Sequence, residues 1–526
     1  MRTTTLLSFA LPAAMLLAAC TDESEDLSVK GVSLSETSLT LKPEEKKTLT
    51  VTFFPGNAAN RNVSWSSSNA EVAAVESGEV TAVKPGSAVI TVTAEDGGEE
   101  ASCSVTVSLS DPVNVSGSVE GTWKKYSIIN VTGHINVPQG KTLTVEEGVE
   151  VVVGTNGQDE NTTKIEIIVN GNLYCYGTEE APVTFTVPAA ERTAANAFAR
   201  LWGGIIGSVT CSEIVLEHAL VEYTGAVTTA TSPSVTAGLF KAGGGEGMVA
   251  FNTNNPAGRY VIVNSTFRYT GEDAIYVQGG SCIFAHNLFY ACGTAGGEAI
   301  NVKAGCKVDA TRNLMYSPNT NAFKLSNSGA GGERYQAQIN AYNNTIVNAG
   351  WRRDPNEPKG GSVWAEKGCL VNVYNNLIVN CMFGAKAPQF AVSASAGPDL
   401  NSHIDYNFYA SGTAQSAVAQ HVANGTTTAF DGFKPGVADV VYGAHDVRGE
   451  AAGSNDPLFV SFPFAGNPLL SYSYSSAWDF HLQAGSPALS GAYTGFTPYF
   501  SATGVTVNGK EYKSPAPAVY FGAFGN

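Results

Sequence analysis

One short phrase recurs between residues 261 and 412: alternating apolar residues, an Asn or Ser, then more apolar residues and a turn. Its copies read VIVNSTFRYTG, IFAHNLFYACG, VDATRNLMYSP, INAYNNTIVNAG, VNVYNNLIVNC and HIDYNFYASG, and aligning them stacks Ser265, Asn287, Asn313, Asn344, Asn376 and Asn407. The steps are 22, 26, 31, 32 and 31 residues, a drifting period that predicts a solenoid whose insertions fall in loops. Each copy is β in character, with Val, Ile, Tyr and Phe alternating between Gly and Asn. A coil of two or three short strands returning above itself is a parallel β-helix. The expected fold class is therefore all-β, and Asn at the turns of stacked coils is expected to bond up and down the stack.

Composition agrees. Charged residues make up 14% of the 526, with 56 Gly, the balance of an extracellular β protein. The net charge of −16 argues against a nucleic-acid partner and against attraction to anionic lipid. Of nine Cys, Cys282, Cys306 and Cys369 open successive copies, and Cys292 and Cys381 each follow the stacked Asn by five residues. Such placement reads as small buried apolar groups, and no Cys/His spacing suggests a metal.

The N-terminus reads as a targeting segment: Arg2, then an apolar run from Leu6 to Ala19 too short for a membrane span. It ends in Leu17-Ala18-Ala19-Cys20, which resembles the bacterial lipoprotein signal box. The resemblance implies a signal peptide over 1–19 and lipid attachment at Cys20, with acyl chains enough for stable anchoring. The alternative is an ordinary secretory peptide with a chance Cys. Thr21-Asp22-Glu23-Ser24-Glu25-Asp26 gives residues 20–27 the character of a solvated acidic linker. Its placement is also similar to the acidic export signal of surface lipoproteins in Bacteroides-like bacteria. That implies an outer-membrane protein, lipid-anchored and facing the extracellular side.

Residues 28–109 show alternating strands with turn signals every eight to twelve residues, the pattern of a small β-sandwich. Trp65-Ser66-Ser67-Ser68-Asn69, Val75, Gly78, Val80, Ala82, Pro85-Gly86 and Ile90-Val92 resemble the bacterial immunoglobulin-like group 2 domain. In that family the Trp is a core residue and the domain a spacer or adhesive module, so Trp65 is expected to pack. Residues 113–526 are assigned to the β-helix and its closing segment. Gly133…Pro138…Gly140…Leu143, Gly171…Gly177-Thr178…Pro182-Val183-Thr184-Phe185 and Trp202-Gly203…Leu216-Glu217-His218-Ala219…Val221-Glu222-Tyr223 resemble the opening coils of right-handed parallel β-helices of the pectate-lyase-like superfamily. Asp456-Pro457-Leu458-Phe459 and Asp479-Phe480-His481-Leu482 resemble its closing segment. One such scaffold hosts lyases, hydrolases and non-catalytic adhesins. Excursions at 226–258, 349–362 and 412–455 are where sites tend to be built.

Two residue sets could carry function. If neighbouring copies stack, Asp273 and Glu298 lie about one strand spacing apart, roughly 4.8 Å, and two carboxylates that close want a cation or hold a proton between them. Tyr276, Asn301 and Lys324 alternate outward beside them, as do Gln278, Lys303 and Ser326. Acids and lysines on such a wall invite comparison with polysaccharide lyases, in which Ca²⁺ or a cationic side chain neutralises the uronate and Lys or Arg abstracts the proton. No specific lyase motif is matched, and solvated wall residues are the plain alternative. The second set is Trp351, Arg352 and Arg353, with Asp354, Lys359 and Trp364 nearby, expected to stack on a sugar and fork onto carboxylate or sulfate. The favoured expectation is a non-catalytic glycan-binding or adhesive surface lipoprotein, contacting its glycan through Trp351, Arg352, Arg353 and Tyr276. Its partners would be a polysaccharide or host-surface glycan, and the outer membrane through its anchor, with no cofactor or metal. A polyuronate lyase using Asp273, Glu298 and Lys303 or Lys324, with Ca²⁺, is the alternative, and a structural spacer the third.

Overall fold

A computed structural model describes residues 26–243, 249–294, 296–353, 361–382, 385–386, 397–416, 420–423, 426–429, 443–449 and 451–526. The expected signal segment, Cys20 and most of the expected acidic linker lie outside these residues, as do Asp354 and Lys359. The chain divides into two compact units, with the boundary between Ser108 and Leu109.

The first unit is a β-sandwich. One sheet joins Ser38–Leu41, Glu100–Val107, Gly86–Ala94 and Val63–Ser67, and a second joins Lys46–Thr48, Glu79–Ala82 and Ala73–Glu76. Alternation along these strands buries Leu39, Leu41, Val80, Ile90, Val105 and Val107 between them, and Trp65 packs against that core as expected.

The second unit is a parallel β-helix, and each coil contributes strands to three faces. Sheet I runs through Ile167–Val169, Ile205–Gly207, Phe251–Thr253, Ile275–Val277, Ile300–Val302, Asn321–Ser326 and Gly361–Glu366. Sheet II runs through Val183–Thr186, Ala219–Glu222, Thr266–Thr270, Leu288–Cys292, Leu314–Tyr316, Thr345–Val347, Leu377–Val379, Phe408–Ala410 and Val447–Arg448. Sheet III runs through Asn172–Tyr176, Glu213–Glu217, Arg259–Val263, Gly280–Ala285, Cys306–Thr311, Gln338–Tyr342, Leu370–Tyr374 and His403–Asp405. Every pairing in these three sheets is parallel. Alternate side chains of the strands point inward, giving a continuous apolar core from Ile129 to Tyr409. All eight described Cys are buried and free.

The stacked Asn residues sit at the turn from sheet III to sheet II. The residue before each takes a left-handed backbone: Asn264, His286, Arg312, Asn343, Asn375 and Tyr406 have φ between 50° and 59°. That twist leaves the next N–H unable to join a strand ladder, and the neighbouring coil supplies its acceptor. Ser265 N donates to Asn287 Oδ1 (2.9 Å), Asn287 N to Asn313 Oδ1 (3.0 Å), Asn313 N to Asn344 Oδ1 (3.0 Å), Asn344 N to Asn376 Oδ1 (3.1 Å) and Asn376 N to Asn407 Oδ1 (3.1 Å). The ladder is structural, as the repeat implied.

Its last rung is not an Asn. Asn407 N donates to Asp446 Oδ1 (2.7 Å), and Asp446 Oδ2 is buried without a partner. Burial pushes the Asp446 carboxyl up to about 7, against the hydrogen bond from Asn407. A carboxyl whose proton is held more tightly in the fold than in the unfolded chain costs stability as pH rises. There is no cost below about pH 4, it grows between about 4 and 7, and it is constant above. Asp446→Asn removes this slope and supplies the amide that the other rungs use. Chemical denaturation is expected to show the variant about 4 kcal/mol more stable above pH 7 and level with the wild type at pH 4. A gain independent of pH would show that Asp446 keeps its charge at no cost.

The last β-helix coil closes at Val447–Arg448, and residues 451–526 add no further coil but fold back along the outside. Asp309 accepts from Phe500 N (2.9 Å), Tyr342 Oη donates to Pro515 O (2.6 Å), and Gly522 N donates to Asn375 O (2.9 Å). The hairpin of Val505–Val507 and Lys510–Tyr512 reaches Glu217 through Lys510 Nζ (2.7 Å) and Tyr512 Oη (2.9 Å). The closing segment is thus a strap over sheet III and the Asn turns.

Candidate functional site

Strand register on sheet I sets outward side chains in rows. Asn252, Tyr276, Asn301, Lys324 and Trp364 face one another coil by coil. One step further along each strand lie Asn254, Gln278, Lys303, Ser326 and Glu366. Gln278 Nε2 donates to Asn254 Oδ1 (3.3 Å), and Ser326 is paired with Glu366. At the strand starts lie Asp273, Glu298 and Asn321. Sequence alternation gave three members of each row, and the register adds Asn252, Asn254, Trp364 and Glu366.

The acids are not free wall residues. Asp273 and Glu298 are each 7% exposed. Asp273 Oδ1 accepts from Gly297 N (3.1 Å) and Glu298 N (2.9 Å), and its Oδ2 accepts from Asn301 Nδ2 (2.8 Å). Burial, and then the charge of Glu298, raise the Asp273 carboxyl far above its ordinary range. Burial pushes Glu298 the same way. The hydrogen bond from Asp273, with Lys324 and Lys303, outweighs it and holds Glu298 below its ordinary range. One proton is therefore held between the two. Glu272 beside them is raised by burial against its ion pair with Arg200 (2.7 Å).

Lys303 is 8% exposed and lies over the Tyr276 ring, 5.3 Å from its centre. Burial, then Lys324, lower its pKa. Trp364 Nε1 donates to Glu366 Oε2 (2.9 Å), and Arg334 Nη1 reaches Gln278 Oε1 (3.2 Å). The excursion beginning at 226 closes one end of the wall. Ser234 N and Oγ bind the buried Glu166 carboxylate (2.8 and 3.1 Å), while Val235, Leu239 and Phe240 cover Ile168 and Ile206 and border Tyr276.

The pair makes a poor Ca²⁺ cage, because Asp273 spends its oxygens on backbone and Asn donors and shares a proton with Glu298. Among the described residues no three acidic, His or Cys side chains are grouped to hold a metal.

Trp351 and Arg352 correct the expectation of an exposed sugar platform. Trp351 is 6% exposed, donates from Nε1 to Asn380 O (2.6 Å), and packs on Met382 and Leu469. Arg352 is turned inward onto the carbonyls of Cys292, Gly293 and Ser317. Arg353 beside them is half-buried. The insertion's conspicuous side chains fasten coils together. Sequence reasoning missed the part played by Asp446, and by a tyrosine-lined cleft on sheet II whose members lie outside the aligned positions.

Residues 28–105 match the family of bacterial Ig-like domains (group 2). An α-L-arabinofuranosidase of Bifidobacterium longum is 32% identical over 181 residues, 31% of this chain and 17% of that protein. An uncharacterized protein of Clostridium acetobutylicum is 35% identical over 88 residues, 16% of this chain and 9% of that protein. The chain spans less than a fifth of the length of these curated relatives.

Proposed function

We propose that the chain is a surface lipoprotein that binds a glycan without cleaving it, through the wall of sheet I. The observation that carries this reading is the row Tyr276–Asn301–Lys324–Trp364, with Lys303 beside it. Two aromatic rings stand about three strand spacings apart, roughly 14 Å, with the Lys324 ammonium between them and the Asn301 amide buried against Asp273. Rings flanked by an ammonium donor suit the alternating apolar faces and hydroxyls of a polysaccharide. Similarity to a protein named for its action on arabinofuranosides supports a carbohydrate partner, and an immunoglobulin-like domain suits a cell-surface spacer.

The test is a glycan array with the purified chain, followed by Lys324→Ala and Lys303→Met on whichever glycan is retained. Each is expected to weaken binding about tenfold with melting unchanged. Wild-type affinity in both variants would exclude the wall. The lyase reading has one observation in its favour: a lysine of lowered pKa beside a carboxyl pair is the kind of base that abstracts a proton. Ultraviolet absorbance of unsaturated uronate, released from polyuronates by the wild type and not by Lys303→Met, would replace our reading with that one.

The anchor rests on Leu17-Ala18-Ala19-Cys20 and the acidic run after it. In a bacterial host, Cys20→Ala is expected to abolish labelling by radioactive palmitate and to release the protein from the membrane fraction. Undiminished labelling would exclude Cys20.

A further inference from the structure

Sheet II carries a second cleft, of about 570 Å³, distinct from the sheet I wall. Its floor is Thr266, Arg268, Leu288 and Tyr290, with Tyr269 at one side and Tyr474 and Ser476 of the returning C-terminal segment at the other. The tyrosines form a connected series. Tyr290 and Tyr474 stack at 4.9 Å, Tyr269 meets Tyr290 edge-on at 5.8 Å, and Tyr223 lies 5.2 Å from Tyr269. Tyr474 is fixed by its contacts with Trp478 and Tyr316.

Arg268 is held in one orientation within this cleft. Its Nε donates to Glu222 Oε2 (2.5 Å) and its Nη1 to Tyr290 Oη (2.7 Å). Glu222 is itself buried and bound by Thr186 Oγ1 (2.5 Å). The guanidinium lies over the Tyr269 and Tyr290 rings at 5.2 and 5.9 Å, and its side chain keeps 31% of its surface exposed. Among the described residues no acceptor meets its Nη2. A positioned donor, rigid aromatic faces, and the hydroxyls of Thr178, Thr266 and Ser476 around one cavity are what a bound sugar needs.

Charge narrows the class. Glu222 already offsets the Arg268 cation, and Glu179 stands exposed at the rim with His218 nearby. A carboxylate ligand would gain no net positive field here, whereas a hydroxyl could accept from Nη2 without one. We infer that this cleft binds a neutral saccharide of one or two rings, stacked on the tyrosines and hydrogen-bonded by Arg268. The inference extends the reading of the chain as a glycan binder to a second site on another face.

The experiment titrates the purified full chain with xylobiose, galactobiose and arabinobiose, and with digalacturonate as the acidic counterpart, followed by ligand-observed NMR and calorimetry. At least one neutral disaccharide is expected to bind, more tightly than digalacturonate. Tyr474→Ala should weaken it about tenfold, and Thr266→Val should weaken it measurably. Arg268→Gln would strand Glu222, so these two variants carry the test. The sheet I variants Lys324→Ala and Lys303→Met should leave disaccharide binding unchanged. The inference is overturned if no neutral disaccharide binds, if digalacturonate binds more tightly, or if binding survives Tyr474→Ala. Polysaccharide retention that depends on sheet I, with no disaccharide bound, would overturn this inference alone. Disaccharide binding in the cleft, with sheet I variants retaining polysaccharide normally, would overturn the wall and leave this site standing.

Discussion

Asn344→Ala is expected to lower the stability of the β-helix by about 3–4 kcal/mol, read as the shift in a urea unfolding curve. The side chain does five things at once. Its Oδ1 accepts from Asn313 N (3.0 Å) and Asn313 Nδ2 (2.9 Å). Its Nδ2 donates to Ala310 O (3.1 Å), Tyr342 O (3.1 Å) and Asn376 Oδ1 (2.9 Å). Every one of these groups is buried. Each stranded donor costs about 1–3 kcal/mol, less than additively because the coils can relax. The damage also spreads, since a solenoid coil is held by its neighbours and this residue serves both. Asn372 is the control. It lies on sheet III, half-buried, and makes one side-chain bond, to Asn340 Oδ1 (2.8 Å), so Asn372→Ala should cost less than about 1 kcal/mol. Equal losses in the two variants would mean that the Asn ladder has no special part in holding the coils.

The ladder was legible in the sequence because each coil needs the same residue type at the same turn. An amide can accept from one neighbour and donate to the other, as Asn does at the aligned turns from Asn287 to Asn376, and that chemistry leaves a visible repeat. Asp446 escaped notice for the same reason. It lies 39 residues after Asn407, a longer step than any before it, and is not an Asn, although it performs half of the rung's work. The rows on sheet I were legible from period-two alternation, including the pairing of Asp273 with Glu298. Their burial was not, because it depends on how Gly297, Glu298 and Asn301 of the next coil close on Asp273, which alternation does not reveal. A closing segment was expected from Asp456–Phe459 and Asp479–Leu482, but its path over sheet III and the tyrosine cleft had no signal. Their contacts join residues such as Tyr290 and Tyr474, far apart in sequence and bound by no shared period.

Trp351 and Arg352 show how far composition can mislead, and they support the second large prediction. Read alone, a Trp-Arg-Arg triplet outside the repeat looks like a ligand platform. In the fold, Arg352 Nη2 donates to Cys292 O (2.7 Å) and Ser317 O (2.9 Å), and Nη1 to Gly293 O (2.9 Å), so one guanidinium ties together the ends of two coils. It also lies over the Phe198 and Tyr472 rings at 5.2 and 5.8 Å. Burial brings its pKa down to about 10, still well above neutrality, so it remains charged. Removing it relieves the cost of burying that charge. It also strands the Gly293 and Ser317 carbonyls, Cys292 O keeping its bond from Asn319 N (3.0 Å), and uncovers two aromatic faces, and the losses outnumber the gain. Trp351→Ala adds the cavity of a buried indole, about 3–5 kcal/mol on its own. The double variant Trp351→Ala, Arg352→Ala is therefore expected to lose about 5 kcal/mol or more, comparable with the whole stability of many domains. Hydrogen exchange should show faster exchange in the coils from Leu314 to Met382 while the immunoglobulin-like unit keeps its protection. A double variant that exchanges and melts like the wild type would mean that these side chains leave their buried positions in solution. Trp351 and Arg352 would then return as candidates for the glycan surface.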